Sequence, residues 1–592
     1  MKSWLTWVAT VGLVGLSLVH GQSTVTFHEH LAPVVFQQCA PCHRPGGSAP
    51  FSLLTYSEVA RRAADLAEVT GRRYMPPWLP SPGPHPFQGE RRLTESEIQL
   101  FRRWADTGAP AGDSSKSPPI PLITSDWQLG PPDLVVKLSQ VYTVPAEGRD
   151  VYRNFVLPLN LDRRRHVRAW ELRPHSRAAH HAFVRVDTSG EGRRLDAKDA
   201  EPGFPGMDLP AMIRPPSGHF ASWQPGAAPA QNPPGLPWTL EPDTDLVLQV
   251  HLQPTGKPEP FQPELGLYFT DQAPTNQPMK LGLGSFALDI PAGSTNFVAR
   301  DEFILPTDVD LLGVLPHTHY LGRRVEGKAV LPDGREEPLL LITDWDFNWQ
   351  GAYRYQTPVF LPAGTKLQMA LQFDNTTNNV RNPFSPPRPA RYGSDTTNEM
   401  AELWIQLLPR TAEGAKRLDQ ALLRRIALDT VAYNEQRLRT DPNNGLALVN
   451  IGRAQLALQQ MAQALAMFKH ATRVAPQLDE AHYYLALVHR AQNRTQDAVA
   501  GFRKTLELNP NHARAHGNLA FLDLEAGRLE QAVGHLQEAI RLDSRDTLAL
   551  VTLAKVRLRQ GAKAEAADLF RKVLKVDPQN AEARAGLKAV GE

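Results

Sequence analysis

Near its C-terminus the chain repeats every 34 residues, and no other feature narrows its fold so far. In each unit a small residue is followed by Ala twelve positions on, an aromatic residue or Leu four further, and in most units Pro eight further. Gly452, Ala464, Phe468 and Pro476 make one unit, and Ala486, Ala498, Phe502 and Pro510 the next. Ala520, Ala532 and Leu536 follow with Ser544 in place of proline, and Ala554, Ala566, Phe570 and Pro578 close the series. A unit of this size is a helical hairpin that cannot bury its apolar face alone, so neighbours must stack into an α-solenoid. The solenoid is expected over 411–592, with 414–440 as a degenerate leading repeat and 579–590 as a capping helix. Its concave face is a candidate protein-docking surface, the alternative being a stabilising or dimerising appendage.

With 592 residues the chain exceeds one core, so further domains precede the repeats. Its 52 prolines crowd residues 76–390 and thin out after 411, which marks a β- and loop-rich middle before a helical end. A net charge of +2 gives no pointer to nucleic acid or an acidic membrane. Residues 1–21 have the form of an export signal: Lys2, an apolar run from Trp4 to Val19, and Gly21 at the expected cut before Gln22. An uncleaved anchor is the competing reading. No other stretch has the roughly 20 apolar residues that span a bilayer. The mature protein is expected to be periplasmic or secreted, with no integral membrane segment after signal cleavage.

Only two cysteines occur, and Cys39-Ala40-Pro41-Cys42-His43 places both in the C-x-x-C-H pattern of c-type haem attachment. Cys39 and Cys42 would form the thioethers and His43 would be the proximal iron ligand. A redox disulfide is the alternative, but it would belong in a βαβ setting and has no need of the histidine. Helices are expected over Tyr56–Val69 and after Thr94-Glu95-Ser96-Glu97, a capping box ahead of Ile98, Leu100, Phe101 and Trp104. Gly108 would end the latter. Residues 25–115 resemble a small class I-like all-α cytochrome c domain. Met75, in Arg73-Tyr74-Met75-Pro76-Pro77-Trp78, is the candidate distal ligand, with His85 as the other.

After a linker over 116–130 the texture becomes short alternating runs broken by Pro, Gly and Asn/Asp. That predicts two all-β, jelly-roll-like sandwiches, 131–275 and 276–410, divided at the polar stretch Asp271–Gln277. The first holds His180-His181 and, ending a nearly continuous apolar run, His251. Adjacent strand residues face opposite ways, so a tandem pair serves one metal only where a bulge, bend or strand end redirects one ring. The second holds His317-Thr318-His319, whose i and i+2 rings would leave one strand face together, and Met400 in Asn398-Glu399-Met400. Imidazoles with a soft thioether suit copper, especially its reduced state, and disfavour zinc. The bland reading of each histidine taken singly is a core or strand-edge residue.

Taken in order, His-His, a strand-end His, His-Thr-His-x-Leu-Gly and Asn-Glu-Met resemble the copper type II, ascorbate-dependent monooxygenases, the family of peptidylglycine α-hydroxylating monooxygenase. The resemblance covers about 130–410. It implies that His180, His181 and His251 hold an electron-transfer copper. His317, His319 and Met400 would hold a second copper, where dioxygen reacts with a substrate C–H bond across a solvent cleft from the first. Where the peptide-amidating members bind substrate, this chain has Leu315, Glu402 and Trp404, which argues against capture of a peptide carboxylate. No cysteine remains for the disulfides of the animal members. The repeats match the tetratricopeptide pattern.

The expected function is therefore an exported copper monooxygenase with two copper ions and one covalent c-type haem. It would take a small-molecule substrate and electrons from an external ascorbate-like reductant or redox protein. The alternative is a non-enzymatic haem and copper electron-transfer or copper-binding protein with a repeat docking module. A third reading is a structural assembly protein built on the repeats, which predicts no copper. Trp345-Asp346-Phe347-Asn348-Trp349-Gln350 is expected to be sandwich packing rather than cleft lining, and His166, His175 and His219 structural or exposed.

Overall fold

The computed structural model describes residues 24–591 except 46, 48, 122–126, 208, 211 and 394, so the expected export signal lies outside the described residues. A small helical module comes first. A helical run from Phe27 to Cys39 leads into the cysteine motif, and Glu95–Asp106 packs across it through Phe101 and Trp104. The Thr94 capping box is formed on both sides, and Gly108 takes positive φ just past the helix end. The helix expected over Tyr56–Val69 is instead two, Tyr56–Ala60 and Ala63–Gly71. Arg62 leaves helical geometry at ψ 19° to become the N-cap of the second.

The middle region is β-rich. Its first sandwich pairs a sheet built on Val151–Pro158, Asp245–Leu252 and Ala179–Asp187 with a sheet built on Leu134–Lys137, Glu264–Thr270 and Arg165–Arg173. Asp245–Leu252 is central and buried at every position, which is why its sequence is almost unbroken apolar. The second sandwich has two four-stranded sheets. One runs Met279–Gly284, Glu402–Pro409, Val309–His317, Tyr353–Leu361; the other runs Phe297–Ile304, Lys366–Phe373, Gly322–Val330, Glu336–Ile342. The alternating burial of Lys366–Phe373 is the period of a strand with one face on the core.

The helical module is not a separate bead. Its segment after Met75 crosses onto the second sandwich, with bridges Pro80 to Ile342 and Phe87 to Tyr355. Phe87 stacks on Tyr355 and is part of that sandwich's core. At the other end, the leading repeat expected over 414–440 is one helix, Ala412–Thr440, with no break to make a hairpin. Leu418 and Leu422 bury in the second sandwich's core, and Arg425 pairs with Asp301, so this helix fastens the repeats to the β region. Among the described residues, nine helices from Gly445–Ala457 to Ala581–Val590 follow. The repeating residues are where they meet: Ala464, Phe468, Ala498, Phe502, Ala532, Leu536, Ala566 and Phe570 are all buried. A Cβ on Gly452 would lie 2.5 Å from the Phe468 ring, so that crossing requires glycine.

Candidate functional site

In the first sandwich, Asp245–Leu252 runs antiparallel to Ala179–Asp187. His251 pairs with His181, but Leu252 pairs with Ala179. His180 is therefore the extra residue of a β-bulge, and the bulge turns its ring to the same side as that of His181. Three ring nitrogens converge. His251 Nδ1 lies 3.2 Å from His180 Nδ1 and 3.1 Å from His181 Nε2. Ligand atoms of all three lie within 4.8 Å of one another, the only such group of His, Cys, Asp or Glu found among the described residues. Nitrogens bound about 2.0 Å from one tetrahedral metal sit roughly 3.3 Å apart, so the spacing suits one ion.

Electrostatics keep these rings in the ligand form. Burial, then the neighbouring His251, lowers His180 to about 4 and His181 well below the usual histidine range. His251 is 1% exposed and sits in the strand rather than opening outward at its end. Its Nε2–H donates to Asp150 Oδ2 at 2.7 Å, which leaves the Nδ1 lone pair facing the other two rings. Burial, the largest influence, would by itself raise Asp150, but the hydrogen bond and charge of His251, together with Gln253 and His180, outweigh it and hold the carboxylate below its ordinary range. Tyr152 stacks flat on His251 at 4.4 Å and fixes the ring plane.

The second group is built differently. The strand expected to carry both rings of His-Thr-His ends at His317, so His319 lies beyond it. What brings the rings together, 5.2 Å apart and nearly perpendicular, is Glu399. Its fully buried carboxylate accepts from Thr318 Oγ1 at 2.9 Å, His319 N at 2.9 Å, Leu321 N at 2.6 Å and Met400 N at 3.3 Å. One acid thus ties the chain after His317 to the segment bearing Met400. Burial raises Glu399 to about 7 against the pull of those donors. His317 Nδ1–H donates to Gln350 Oε1 at 2.5 Å and His319 Nδ1–H to the Asn398 carbonyl at 3.0 Å, freeing Nε2 of each. His319 is 2% exposed, and burial followed by His317 lowers it to about 3.

Phe347 stands between the two groups. Its ring centroid lies 5.3 Å from that of His180, 6.4 Å from His251 and 5.6 Å from His319. One phenyl ring thus packs against both groups. The loop Trp345–Gln350 is thus more than sandwich packing: Phe347 touches both histidine groups, Gln350 holds His317, and Trp349 meets Tyr74 of the helical module edge-on at 6.2 Å.

In that module, His43 Nδ1–H donates to the Phe51 carbonyl at 3.2 Å and its ring packs on Phe51, leaving Nε2 as the nitrogen for a ligand. Cys39 and Cys42 are free thiols, and burial, then Cys42, pushes the Cys39 thiol up to about 12. Met75 lines a cavity of about 710 Å³ with Tyr74, Trp78 and Trp349. His85 is engaged elsewhere, its Nε2 at 2.7 Å from Glu337. His219 is buried, while His175 is exposed and pairs with Glu264. Asp150, Gln350 and Phe347 were not singled out from the sequence as site residues; nothing near Asp150 in the chain marks it, since its partner is about a hundred residues away. Glu399 lies inside the Asn-Glu-Met block, where the sequence marks its neighbour Met400 as the soft donor.

Tetratricopeptide repeat family models match residues 444–513, and 489–550 with 523–590. No curated protein matches the chain. Among solved structures it is similar to YrrB, described as a TPR protein with an unusual peptide-binding site, at 19% identity over 27% of this chain and 82% of that one, with a TM-score of 0.25. It is also similar to MamA, at 20% identity over 26% of this chain and 89% of that one, with a TM-score of 0.23. Residues 444–590 are a tetratricopeptide repeat region joined to a β-rich middle.

Proposed function

We propose that the middle region is the centre of an exported copper-dependent monooxygenase that hydroxylates a C–H bond of a small substrate with dioxygen. The observation that carries this reading is the convergence of five imidazoles on the two sides of Phe347, with the Met400 segment tied to one side. His180 Nδ1, His181 Nε2 and His251 Nδ1 would hold one copper; His317, His319 and the Met400 thioether would hold the other. The donor chemistry fits: the depressed rings are neutral, the outer nitrogens of His251, His317 and His319 are occupied by Asp150, Gln350 and Asn398, and a thioether favours copper over zinc. Copper there would supply one-electron redox chemistry and a binding position for dioxygen.

The residues of this chain perform the rest. Asp150 and Gln350 fix tautomers and ring planes. Glu399 holds the second group in register. Phe347 excludes water between the groups, which strengthens every electrostatic interaction inside. Cys39, Cys42 and His43 fit covalent haem, with Met75 the candidate sixth ligand, and a haem there would supply electrons drawn from a periplasmic redox protein or an ascorbate-like donor. The repeat region supports a docking role for a protein partner.

The test is metal content and Cu(II) spectroscopy on the full chain and on Met400→Ala, followed by oxygen uptake against candidate small substrates. Two coppers per chain, one spectral component altered by the substitution, and substrate-dependent uptake are expected; a chain that takes up no copper refutes the reading. One observation favours a second reading, a non-enzymatic electron or copper carrier. Glu402 is bound internally by Tyr392 at 3.1 Å and Trp404 at 2.8 Å, so the positions other members use for substrate are occupied here. Two coppers without any substrate-dependent uptake would select it.

A further inference from the structure

Away from the two histidine groups, the seam between the two sandwiches gathers positive charge. One sheet of the second sandwich sets Lys280 beside Gln406, Gln406 beside Gly313, and Gly313 beside Arg354, a row across four strands. Residues in one row share a face. That face meets the first sandwich: Gln406 Nε2 donates to the Gly218 carbonyl at 3.0 Å, and Arg354 donates to the Gln231 carbonyl. Gly218 lies so close that a Cβ on it would stand 1.8 Å from the Pro278 carbonyl oxygen.

The first sandwich contributes its own cations. Arg185 is half-buried, bonded through Nη2 to Gln249 Oε1 at 3.1 Å, and its charge acts on Lys280. His219 is 3% exposed, and neither of its ring nitrogens has a hydrogen-bond partner. Both Arg354 and Lys280 act on it, after burial, to lower it to about 3. Burial brings Lys280 to about 7 and Arg185 and Arg354 each to about 10. Arg185 lies over the Phe183 ring and Lys280 over the Trp404 ring, and Arg354 is held by the Gln231 carbonyl; among the described residues none of the three has an ion pair with a carboxylate. Half-buried cations without a counter-charge are disfavoured, and a buried imidazole with two orphaned nitrogens marks a missing polar neighbour.

We propose that this seam binds a small oxyanion of the phosphate or sulfate class between Lys280 and Arg354 of the second sandwich and Arg185 and His219 of the first. Guanidinium forks and an imidazole N–H arriving from different elements suit an anion with several acceptor oxygens better than a halide. The anion would bridge the two sandwiches. Arg185 lies on the strand that carries His180 and His181, so occupancy would steady one histidine group against the other.

Calorimetric titration of the metal-free full chain with inorganic phosphate, and separately with sulfate, tests this at constant ionic strength set by sodium chloride. Saturable binding of one oxyanion per chain is expected, with a matching rise in melting temperature. Binding should be at least tenfold weaker in Lys280→Gln and in Arg354→Gln, whose circular dichroism is checked against the parent. Absence of saturable binding in the parent chain overturns the proposal, as does unchanged affinity in a folded variant. If neither variant folds, His219→Phe takes their place under the same criterion. Neither measurement involves copper, so the outcome is independent of the proposed oxygenase activity.

Discussion

The two histidine groups are gathered by opposite constructions. The first is made inside a sheet. A bulge at His180 and a central strand carrying His251 fix three rings, and the ladder hydrogen bonds on both sides of Asp245–Leu252 hold the geometry. The second is made outside a sheet, where the strand has ended at His317 and a buried carboxylate replaces the ladder. A group built on backbone pairing should survive the loss of a single side chain contact. A group built on one acid should not.

Replacing Glu399 gives the largest expected effect. Glu399→Ala strands four donors in a buried site; with hydrogen bonds to a charged group worth ~1.5–3 kcal/mol each and partial relaxation, a loss of roughly 4 kcal/mol is expected. Denaturant unfolding measures it, and metal analysis of folded material should show the second group's ion missing and the first retained. Loss of both ions together would erase the distinction between the two constructions. Phe347→Ala comes next. Removing a buried phenyl costs about 3 kcal/mol and admits water between the groups, yet each keeps its own ligands, so two ions per chain should still bind.

Metal-free stability should rise with pH between about pH 5 and pH 6.5. His180, at about 4, and His219 and His319, at about 3, lie below the ordinary histidine value when folded. The unfolded chain therefore binds more protons in that window, and stability present above 6.5 is lost as pH falls toward the folded values. Glu399 has the opposite sign: raised to about 7, its share is present below about 4.5 and lost as pH rises through 7. Three histidines outweigh one acid, and denaturation of Glu399→Gln at several pH values should show a steeper rise than the parent. Gln350→Ala is the smallest change. It frees His317 Nδ1 and should weaken metal binding at the second group about 10-fold, within the range for a ligand's supporting hydrogen bond, while leaving the first unchanged.

The repeats were legible because their information is local. A 34-residue period records the same two helix crossings again and again, and each small residue or aromatic ring meets a neighbour within one unit. Ala412–Thr440 differs from the expected hairpin because a helix docked on another domain is chosen by that domain: Leu418 and Leu422 bury against sandwich strands rather than against a second helix of the same unit. The candidate ligands were also visible, as residue types in order. Their supports were not. Asp150 and Gln350 are ordinary polar residues until folding sets them beside His251 and His317.

By itself, then, the sequence determined the helical repeats, the β texture of the middle and the residues able to serve as ligands, because periodicity and residue chemistry are properties of the chain. Only the tertiary structure decided that His180 is a bulge residue, that Glu399 rather than a strand aligns His317 with His319, and that Phe347 parts the two groups. It also decided that Lys280, Arg354, Arg185 and His219 share one seam. These depend on register and on contacts between elements far apart in sequence, and a pairing register is set by which faces the whole domain can bury.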